Sequence, residues 1–310
     1  MEKIATRAAF GEAIAELGAK YRNIMVLDAD LASSTKTLKF AQAFPGRHFN
    51  IGIAEQNMMS IAAGMAIKGK IPFACTFAIF ATGRAWEQIR NGIAYPNLNV
   101  KVVGSHSGIM TGEDGATHQA LEDIAVMRAI PNMKVFCPAD AYETKAVIAS
   151  MCEDFGPVYL RLGRSAVPVL YDEKYRFKPG KGDVLRDGTD ITIFAVGSTV
   201  SRALSAAEIL ESQGVSARVC NMCSIKPIDE DLILESARKT KKLFSVEDHQ
   251  IIGGLGSAIS EVLAEAGSGI PLKRIGMHKF GESGKDEDLY RKYGLDAEGI
   301  SSAILSIASV

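Results

Sequence analysis

Residues 71–104 decide the fold; they read IPFACTFAIFATGRAWEQIRNGIAYPNLNVKVVG. The two ends, residues 71–76 and 100–104, are short apolar runs of the kind that forms a buried strand. Residues 84–93, between them, read as a helix. A strand, a helix and a second strand in this order predict two parallel strands joined by a crossover helix.

The same alternation of apolar runs and helical patterns continues in both directions along the chain. Before this stretch, the sequence predicts helices at 4–21 and 55–68 and a strand at 23–28. After it, the predicted strands are 134–137, 158–161, 191–196, 215–221, 243–246 and 272–276, and the predicted helices are 122–130, 141–151, 199–213, 229–240, one ending near 266, and 297–307. Strands separated by helices are typical of parallel sheets covered on both faces. We therefore predict an α/β fold with two doubly wound, mostly parallel-sheet domains.

The pattern breaks between residues 168 and 189, PVLYDEKYRFKPGKGDVLRDGT. Prolines, glycines and many charged residues in one stretch are typical of a surface linker. The predicted organisation is a first domain at 1–167, a linker at 168–188 and a second domain at 189–310. A chain of 310 residues is long enough for two domains of ordinary size.

The composition excludes several classes of protein. The chain carries 35 basic and 36 acidic residues, so neither a nucleic acid nor an anionic membrane is an expected partner. The uncharged run 71–83 is shorter than the about 20 apolar residues that a membrane span needs. The first 20 residues are charged every few positions, unlike a signal peptide. The 5 cysteines are few and odd in number, which favours free thiols in the cytoplasm.

The most polar stretch within apolar surroundings is 106–119, HSGIMTGEDGATHQ. It follows the predicted strand KVVGS and so leaves the carboxyl end of that strand, where open α/β sheets bind ligands. Two histidines, two acids and several glycines suit a loop folded around a small polar molecule. A plain solvent-exposed loop is the alternative, although loops at strand ends carry functional sites disproportionately often.

Two further features are ambiguous by themselves. Glu55 opens a predicted helix within NIGIAEQNM, where an acid also simply complements the positive end of the helix. Phe77 and Phe80 lie three residues apart at a strand end, where two core aromatics are the ordinary interpretation.

Read in order, these pieces resemble a known family. The segments LDADLASS, NIGIAEQNM, TFAIF and GSHSGIMTGEDGATHQ, followed by PNMKVFCPAD, are similar to the pyrimidine-binding domain of transketolases. The part after the linker, with its GGLGSAI run, resembles the transketolase C-terminal domain. The resemblance covers essentially the whole chain.

The resemblance implies thiamine diphosphate as cofactor and assigns roles in holding its pyrimidine. Glu55 stands where the family has the glutamate that hydrogen-bonds the pyrimidine ring nitrogen. Phe77 and Phe80 match the aromatics that flank the ring, and Asp30 matches an acid near the cofactor at a subunit contact. Two positions depart from the family: Gly83 stands where a third aromatic is expected, and Gln56 where a histidine is usual.

The resemblance also assigns substrate contacts. Asp114 and His118 match positions that contact the hydroxyl and carbonyl end of the sugar, and His118 also matches a catalytic role in stabilising developing charge. The positions that match the family's phosphate-binding residues are Arg7, Ser34, His106 and Arg164. The implied reaction is transfer of a two-carbon ketol unit from a ketose phosphate to an aldose phosphate.

The half of the cofactor site that holds the diphosphate is missing from the sequence. Transketolases bind the diphosphate and its Mg²⁺, or another divalent ion, with a separate domain that carries GDG and downstream asparagines, and no such pair occurs here. The chain therefore resembles the C-terminal subunit of a split transketolase. We expect it to hold no metal itself and to pair with an N-terminal subunit, in a symmetric α2β2 assembly.

Three other functions remain open from the sequence. A 1-deoxyxylulose-5-phosphate synthase has a similar loop but is one long chain, with arginine typical where His106 stands. The β subunit of a 2-oxo-acid dehydrogenase matches in length but lacks GEDGATHQ. A non-catalytic regulatory module would need neither Glu55 nor the substrate residues. The pair Cys220 and Cys223, without a second pair nearby, predicts structural cysteines and not a zinc site.

Overall fold

The computed structural model describes residues 2–240 and 242–308. The chain forms two compact units. The first unit contains the chain up to Ser107 together with Val126–Lys178. The second contains Gly108–Ala125 together with the chain from Pro179 onward. The polar loop that follows residue 107 therefore packs with the second unit, although most of its sequence neighbours belong to the first.

The first unit is built on a parallel sheet. Its strands lie in the order β6-β7-β5-β4-β2-β3, and all of these neighbouring pairs are parallel. A separate antiparallel pair, β1 with β8, joins the start of this unit to its end. The elements, in chain order, are β1 (Lys3–Ala5), α1 (Thr6–Lys20), β2 (Ile24–Asp28), α2 (Ala32–Thr35), α3 (Leu38–Ala43), β3 (His48–Asn50), α4 (Glu55–Ile67), β4 (Ile71–Phe77), β5 (Lys101–Ser105), α5 (Asp123–Arg128, which begins before residue 126), β6 (Lys134–Phe136), α6 (Ala141–Glu153), β7 (Val158–Arg161) and β8 (Ala166–Pro168).

The second unit contains a smaller sheet. Its order is β14-β13-β10-β11-β9, parallel except for β9, which runs antiparallel to β11. The elements are β9 (Asp183–Arg186), β10 (Ile191–Ala195), α7 (Thr199–Ser212), β11 (Ala217–Asn221), β12 (Ser224–Lys226), α8 (Glu230–Thr240), β13 (Leu243–Gln250), α9 (Leu255–Glu265), β14 (Leu272–Met277), α10 (Asp286–Lys292) and α11 (Ala297–Ala308).

The predicted α/β architecture with mostly parallel sheets is confirmed. Every residue of β4, β5 and β7 is buried, as expected for central strands with helices on both faces. Residues 71–104 do form two adjacent parallel strands, with Phe73 opposite Lys101 and Phe77 opposite Ser105.

The sequence did not predict the short elements β1, α2, α3, β3, β8 and β12, and three larger features also differ from the prediction. The segment between β4 and β5 is wound as two π-helical pieces, Phe80–Arg84 and Gln88–Ala94, and not as a regular helix at 84–93. Residues 183–186 of the predicted linker form β9. Helix α10 was not predicted, because it buries only Leu289 and Tyr290 and so lacks a continuous apolar stripe.

All five cysteines are buried and carry free thiols. Burial raises the pKa of Cys220, so the thiolate that metal binding or redox chemistry needs is disfavoured. Among the described residues, no helix is both long and apolar enough to cross a membrane.

Candidate functional site

Three neighbouring strands of the first unit, β2, β4 and β5, end at one edge of the sheet. Parallel strands bring their carboxyl ends together, and ligands of open α/β sheets bind there. The residues that follow these strands include most of the predicted site. With Arg7 on α1, Glu55 at the start of α4 and Arg164 after β7, these residues form two linked groups, one around Glu55 and one around Arg7.

Glu55 begins α4 with a side chain that is only 1% exposed. Its Oε2 accepts a hydrogen bond of 2.9 Å from Nη1 of Arg84, which is 49% exposed. The guanidinium carbon of Arg84 also lies 4.7 Å from the ring centre of Phe80, a cation–π contact. Arg84 therefore links the buried carboxylate to the aromatic side chains that follow β4.

Three rings form a stack at the ends of β4 and β5. Phe77 and Phe80 are nearly parallel, at an interplanar angle of 9° with ring centroids 5.9 Å apart. The imidazole of His106 lies against Phe77, with centroids 3.9 Å apart. His106 has a φ of 55°, which a residue with a side chain seldom adopts. The chain thus turns sharply after β5, and the imidazole remains buried.

The four residues predicted to bind phosphate meet around the guanidinium of Arg7. Its Nε donates to the carbonyl oxygen of Arg164 at 2.9 Å, and its Nη1 donates to the carbonyl oxygen of Ser34 at 2.9 Å. Nη1 also lies 3.3 Å from Nε2 of His106. Because a guanidinium only donates, Nε2 acts as the acceptor in this contact. Nδ1 of His106 then faces the hydroxyl of Ser105 at 2.9 Å.

A buried aspartate fixes the loop that carries Ser34. Asp28, at the end of β2, accepts hydrogen bonds from the backbone N–H of Leu31 and from the hydroxyls of Thr35 and Thr37, at 2.5 to 2.8 Å. Burial raises the pKa of Asp28, and these hydrogen bonds oppose that rise. Together the contacts hold the turn that contains Asp30.

Asp30 itself is exposed and has a φ of 63°. Its carboxylate accepts from Nδ2 of Asn50 at 3.0 Å, and its backbone N–H donates to Oδ1 of the same side chain at 3.1 Å. Asn50 ends β3 and comes just before Glu55 in the sequence. The pair therefore connects two segments that the sequence analysis singled out separately.

Asp114 and His118 belong to the second unit. They lie in and just after a 3₁₀ turn, Ile109–Asp114, whose backbone is kinked at Gly112. The φ angles of Gly108, Gly112 and Gly115 are 68°, 75° and 76°, values that favour glycine. Asp114 is exposed, and His118 is half-buried with Nδ1 2.9 Å from the hydroxyl of Thr117.

One chain of contacts thus joins seven of the predicted residues within the first unit. It runs from Glu55 through Arg84 to the ring stack, and from His106 to the Arg7 cluster; the seven are Glu55, Phe77, Phe80, His106, Arg7, Ser34 and Arg164. Asp30 lies on the same loop as Ser34, whereas Asp114 and His118 belong to the second unit. The roles of all ten residues remain predictions.

Sequence reasoning missed Arg84 and Asp28. Arg84 stands four residues after Phe80, a spacing that brings side chains together on one helical face, and this was the available signal. Asp28 occurs within LDADLASS, and the two threonines that donate to it, Thr35 and Thr37, follow that segment directly. Among residues 2–240 and 242–308, no three histidine, cysteine, aspartate or glutamate side chains are grouped to hold a metal ion.

Family models match both parts of the chain. Residues 2–169 match the model described as transketolase, pyrimidine binding domain. Residues 180–300 match the model described as transketolase, C-terminal domain.

Individual proteins are similar over nearly the whole chain. A putative transketolase C-terminal section from Methanocaldococcus jannaschii is 53% identical, over 96% of this chain and 95% of that protein. A 6-deoxy-6-sulfo-D-fructose transketolase subunit from a Clostridium species is 42% identical, over 96% of this chain and 92% of its own length. A solved structure described as a split gene transketolase, inactive beta4 tetramer, has 51% identity and a TM-score of 0.91, with 99% of each chain covered.

Proposed function

This chain belongs to the transketolase family, and we propose that it is the C-terminal subunit of a thiamine-diphosphate-dependent transketolase. The names of two similar proteins, a C-terminal section and a split gene transketolase, support a subunit that works with a separate N-terminal polypeptide. That partner would hold the diphosphate and its divalent ion. We propose an α2β2 assembly, because the cofactor site needs both kinds of subunit.

The observation that carries this proposal is the contact chain from Glu55 to Arg7. At one end lies a buried carboxylate beside parallel aromatic rings, and at the other a guanidinium oriented by two backbone carbonyl groups. A cofactor with a planar heterocycle suits the first end, and an anionic group of a substrate suits the second. A non-catalytic module would need neither.

The first end fits the pyrimidine of thiamine diphosphate. In a water-poor site, Glu55 would share a proton with a ring nitrogen of the pyrimidine. A carboxylate has two oxygens, so it can keep its hydrogen bond to Arg84 while it holds that nitrogen. Phe77 and Phe80 would pack against the ring, which contributes about 0.5–1.5 kcal/mol beyond burial of area.

When bound beside Glu55, Phe77 and Phe80, the cofactor would supply a nucleophilic carbon and a temporary acceptor for the electron pair of the broken carbon–carbon bond. This chain's residues would orient the sugar and move its protons. Asp114 would bind a sugar hydroxyl, and His118 would stabilise charge as the carbonyl forms. The ketose leaves as an aldose shorter by two carbons, and the acceptor aldose gains those two carbons.

The anionic end of the sugar is assigned to Arg7, Arg164, His106 and Ser34. Planar guanidinium groups match the oxygens of a phosphate. A sulfonate presents three similar oxygens, so the same cluster also accommodates sulfonated sugars such as the substrate named for the Clostridium relative. Pentose phosphates remain our first expectation.

The test is an assay of the complex between this chain and the N-terminal subunit from the same source. With thiamine diphosphate, Mg²⁺, xylulose 5-phosphate and ribose 5-phosphate, we expect a three-carbon aldose phosphate and a seven-carbon ketose phosphate. Turnover of 6-deoxy-6-sulfofructose but not of xylulose 5-phosphate would change the substrate and keep the reaction. No ketol transfer from any sugar would contradict the proposed function.

A further inference from the structure

The loop that carries Asp114 and His118 is attached to the C-terminal part of the second unit at several points. The backbone N–H of Ile109 donates to Oδ1 of Asp248 at 2.9 Å. Further along, the N–H of Gln250 donates to the carbonyl oxygen of Leu121 at 2.8 Å. Nε2 of Gln119 donates to the carbonyl oxygen of Glu282 at 2.9 Å.

Asp248 is the buried centre of this attachment. It lies on β13, is 2% exposed, and its two oxygens have different donors. Oδ1 binds Ile109, and Oδ2 accepts from the hydroxyl of Tyr290 at 2.7 Å. That hydroxyl is also 2.7 Å from the hydroxyl of Ser198. Burial raises the pKa of Tyr290, so its hydroxyl remains a donor at any ordinary pH.

The start of the loop is shaped to fit this carboxylate. Gly108 has a φ of 68°, and a Cβ atom added there would collide with the carboxylate of Asp248. Only glycine lets the backbone approach so closely. The approach brings the next N–H, that of Ile109, into line with Oδ1. Because the 3₁₀ turn begins at Ile109, this bond fixes the first residue of the turn that ends at Asp114.

We propose that Asp248 is a positioning residue, which holds loop 108–119 in the conformation that presents Asp114 and His118 to the sugar. The inference rests on the proposed function, because it takes the roles of Asp114 and His118 from there. It gives the C-terminal domain a task beyond assembly. A displacement of about 1 Å at a reacting group is enough to cost about 100-fold in rate, so one hydrogen bond at the base of the loop matters.

Hydrogen exchange tests the conformational part without any need for turnover. In Asp248→Ala the amide of Ile109 loses its acceptor, so exchange across 108–119 should accelerate at least about tenfold. In Asp248→Asn the amide oxygen still accepts from Ile109, so exchange should stay within about threefold of wild type. Glu247→Gln is the control, because that buried carboxylate accepts from the N–H groups of Leu255 and Gly256. Unchanged exchange in Asp248→Ala would overturn the proposal.

Kinetics of the complex with the N-terminal subunit test the catalytic part. We expect kcat to fall about 10- to 100-fold in Asp248→Ala, with unchanged affinity for thiamine diphosphate and near-complete rescue in Asp248→Asn. In a background that carries both Asp114→Ala and His118→Ala, Asp248→Ala should cost less than about threefold, because the loop then presents neither side chain to the sugar. An equal loss in both backgrounds would overturn the proposal.

Two further outcomes keep the test decisive. Should Asp248→Ala fail to fold, Gly108→Ala takes its place, since a Cβ atom there would collide with the carboxylate of Asp248 and push the loop away from it. It should accelerate loop exchange by about threefold or more, and no acceleration would contradict the inference. A wild-type complex without ketol transfer would refute the proposed function, while the exchange experiment would still decide whether Asp248 holds the loop.

Discussion

Glu55 combines deep burial with a partially exposed partner. Its side chain is 1% exposed, whereas Arg84, which donates to it, is 49% exposed. Such a pair is weak evidence for stability, because the cost of removing the carboxylate from water offsets much of its attraction to the guanidinium.

At the residue scale, Glu55→Ala should lower the kcat of the complex by about 10² to 10⁴, the range of general acid–base catalysis. The matched control is Glu87→Gln, because Glu87 is an exposed acid that contacts Gln88 and Asn91. The control should retain wild-type kcat. Full turnover by Glu55→Ala in an assembled complex would remove Glu55 from its proposed role.

His106→Ala should weaken the use of phosphorylated sugars selectively. Its imidazole lies against Arg7 and Phe77, so its loss frees the guanidinium to shift. We expect kcat/KM to fall about 10- to 100-fold for xylulose 5-phosphate, as for a lost charge-assisted hydrogen bond of about 1.5–3 kcal/mol. The comparison is unphosphorylated xylulose, for which the loss should be about threefold or less. Equal losses for both sugars would contradict the phosphate assignment.

How much of the site the sequence predicts depends on the kind of signal each residue gives. Glu55, Phe77 and Phe80 stand in short segments that resemble a family, so single positions could be assigned. The stacking of His106 on Phe77 could not, because it joins the ends of two strands and depends on an unusual φ at His106. The hydrogen bonds of Arg7 to carbonyl groups of residues 34 and 164 likewise depend on the tertiary fold.

At the element scale, regular strands and helices were predictable and irregular windings were not. Strands β4 and β7 buried on both faces give continuous apolar runs. The π-helical winding after β4 leaves no such pattern, because each wide turn adds a residue and shifts the spacing. The two short strands β1 and β8 lie far apart in sequence, near the first and the last residues of the first unit. Only their contact in the folded chain identifies them as a pair.

Strand β5 begins with a fully buried lysine. Nζ of Lys101 donates to the carbonyl oxygens of Asp154 and Gly156, each at 2.9 Å. Burial, aided by repulsion from Lys134, lowers the pKa of Lys101 from 10.5 to about 7. The unfolded chain therefore binds more protons than the folded one between these pH values, so this group's contribution to stability is present above pH 10.5 and is lost as pH falls toward 7.

Lys101→Met should remove this pH dependence. Between pH 7 and 9 the unfolding free energy of the wild-type chain should rise relative to that of the variant, by about 1 kcal/mol per pH unit. The range ends at pH 9 because the Cys152 thiol of the unfolded chain ionises around that pH, whereas burial raises the pKa of Cys152 to about 12 in the folded chain and so adds a second pH dependence. Urea unfolding at several pH values measures the difference. Parallel curves for the two proteins would show that Lys101 does not titrate in this way.

At the scale of the whole molecule, the two units divide the predicted residues. The residues predicted to bind the cofactor and the phosphate lie in the first unit, whereas Asp114 and His118, predicted to bind the sugar, lie in a segment that packs with the second. The sequence placed this segment in the first domain, because it follows β5 directly. Its attachment to β13 depends on single polar contacts such as Ile109 to Asp248, which leave no periodic signal.

The most direct test of the account is turnover by this chain alone and with its partner. A tagged chain is purified from its native lysate, and a co-purifying N-terminal subunit with GDG and downstream asparagines is identified by sequence. Both preparations are then assayed with xylulose 5-phosphate, ribose 5-phosphate, thiamine diphosphate and Mg²⁺. We predict no turnover by the chain alone, turnover by the complex, and loss of that turnover with Glu55→Ala. Full turnover by the chain alone, or a complex that neither binds thiamine diphosphate nor transfers a ketol unit, would contradict the account.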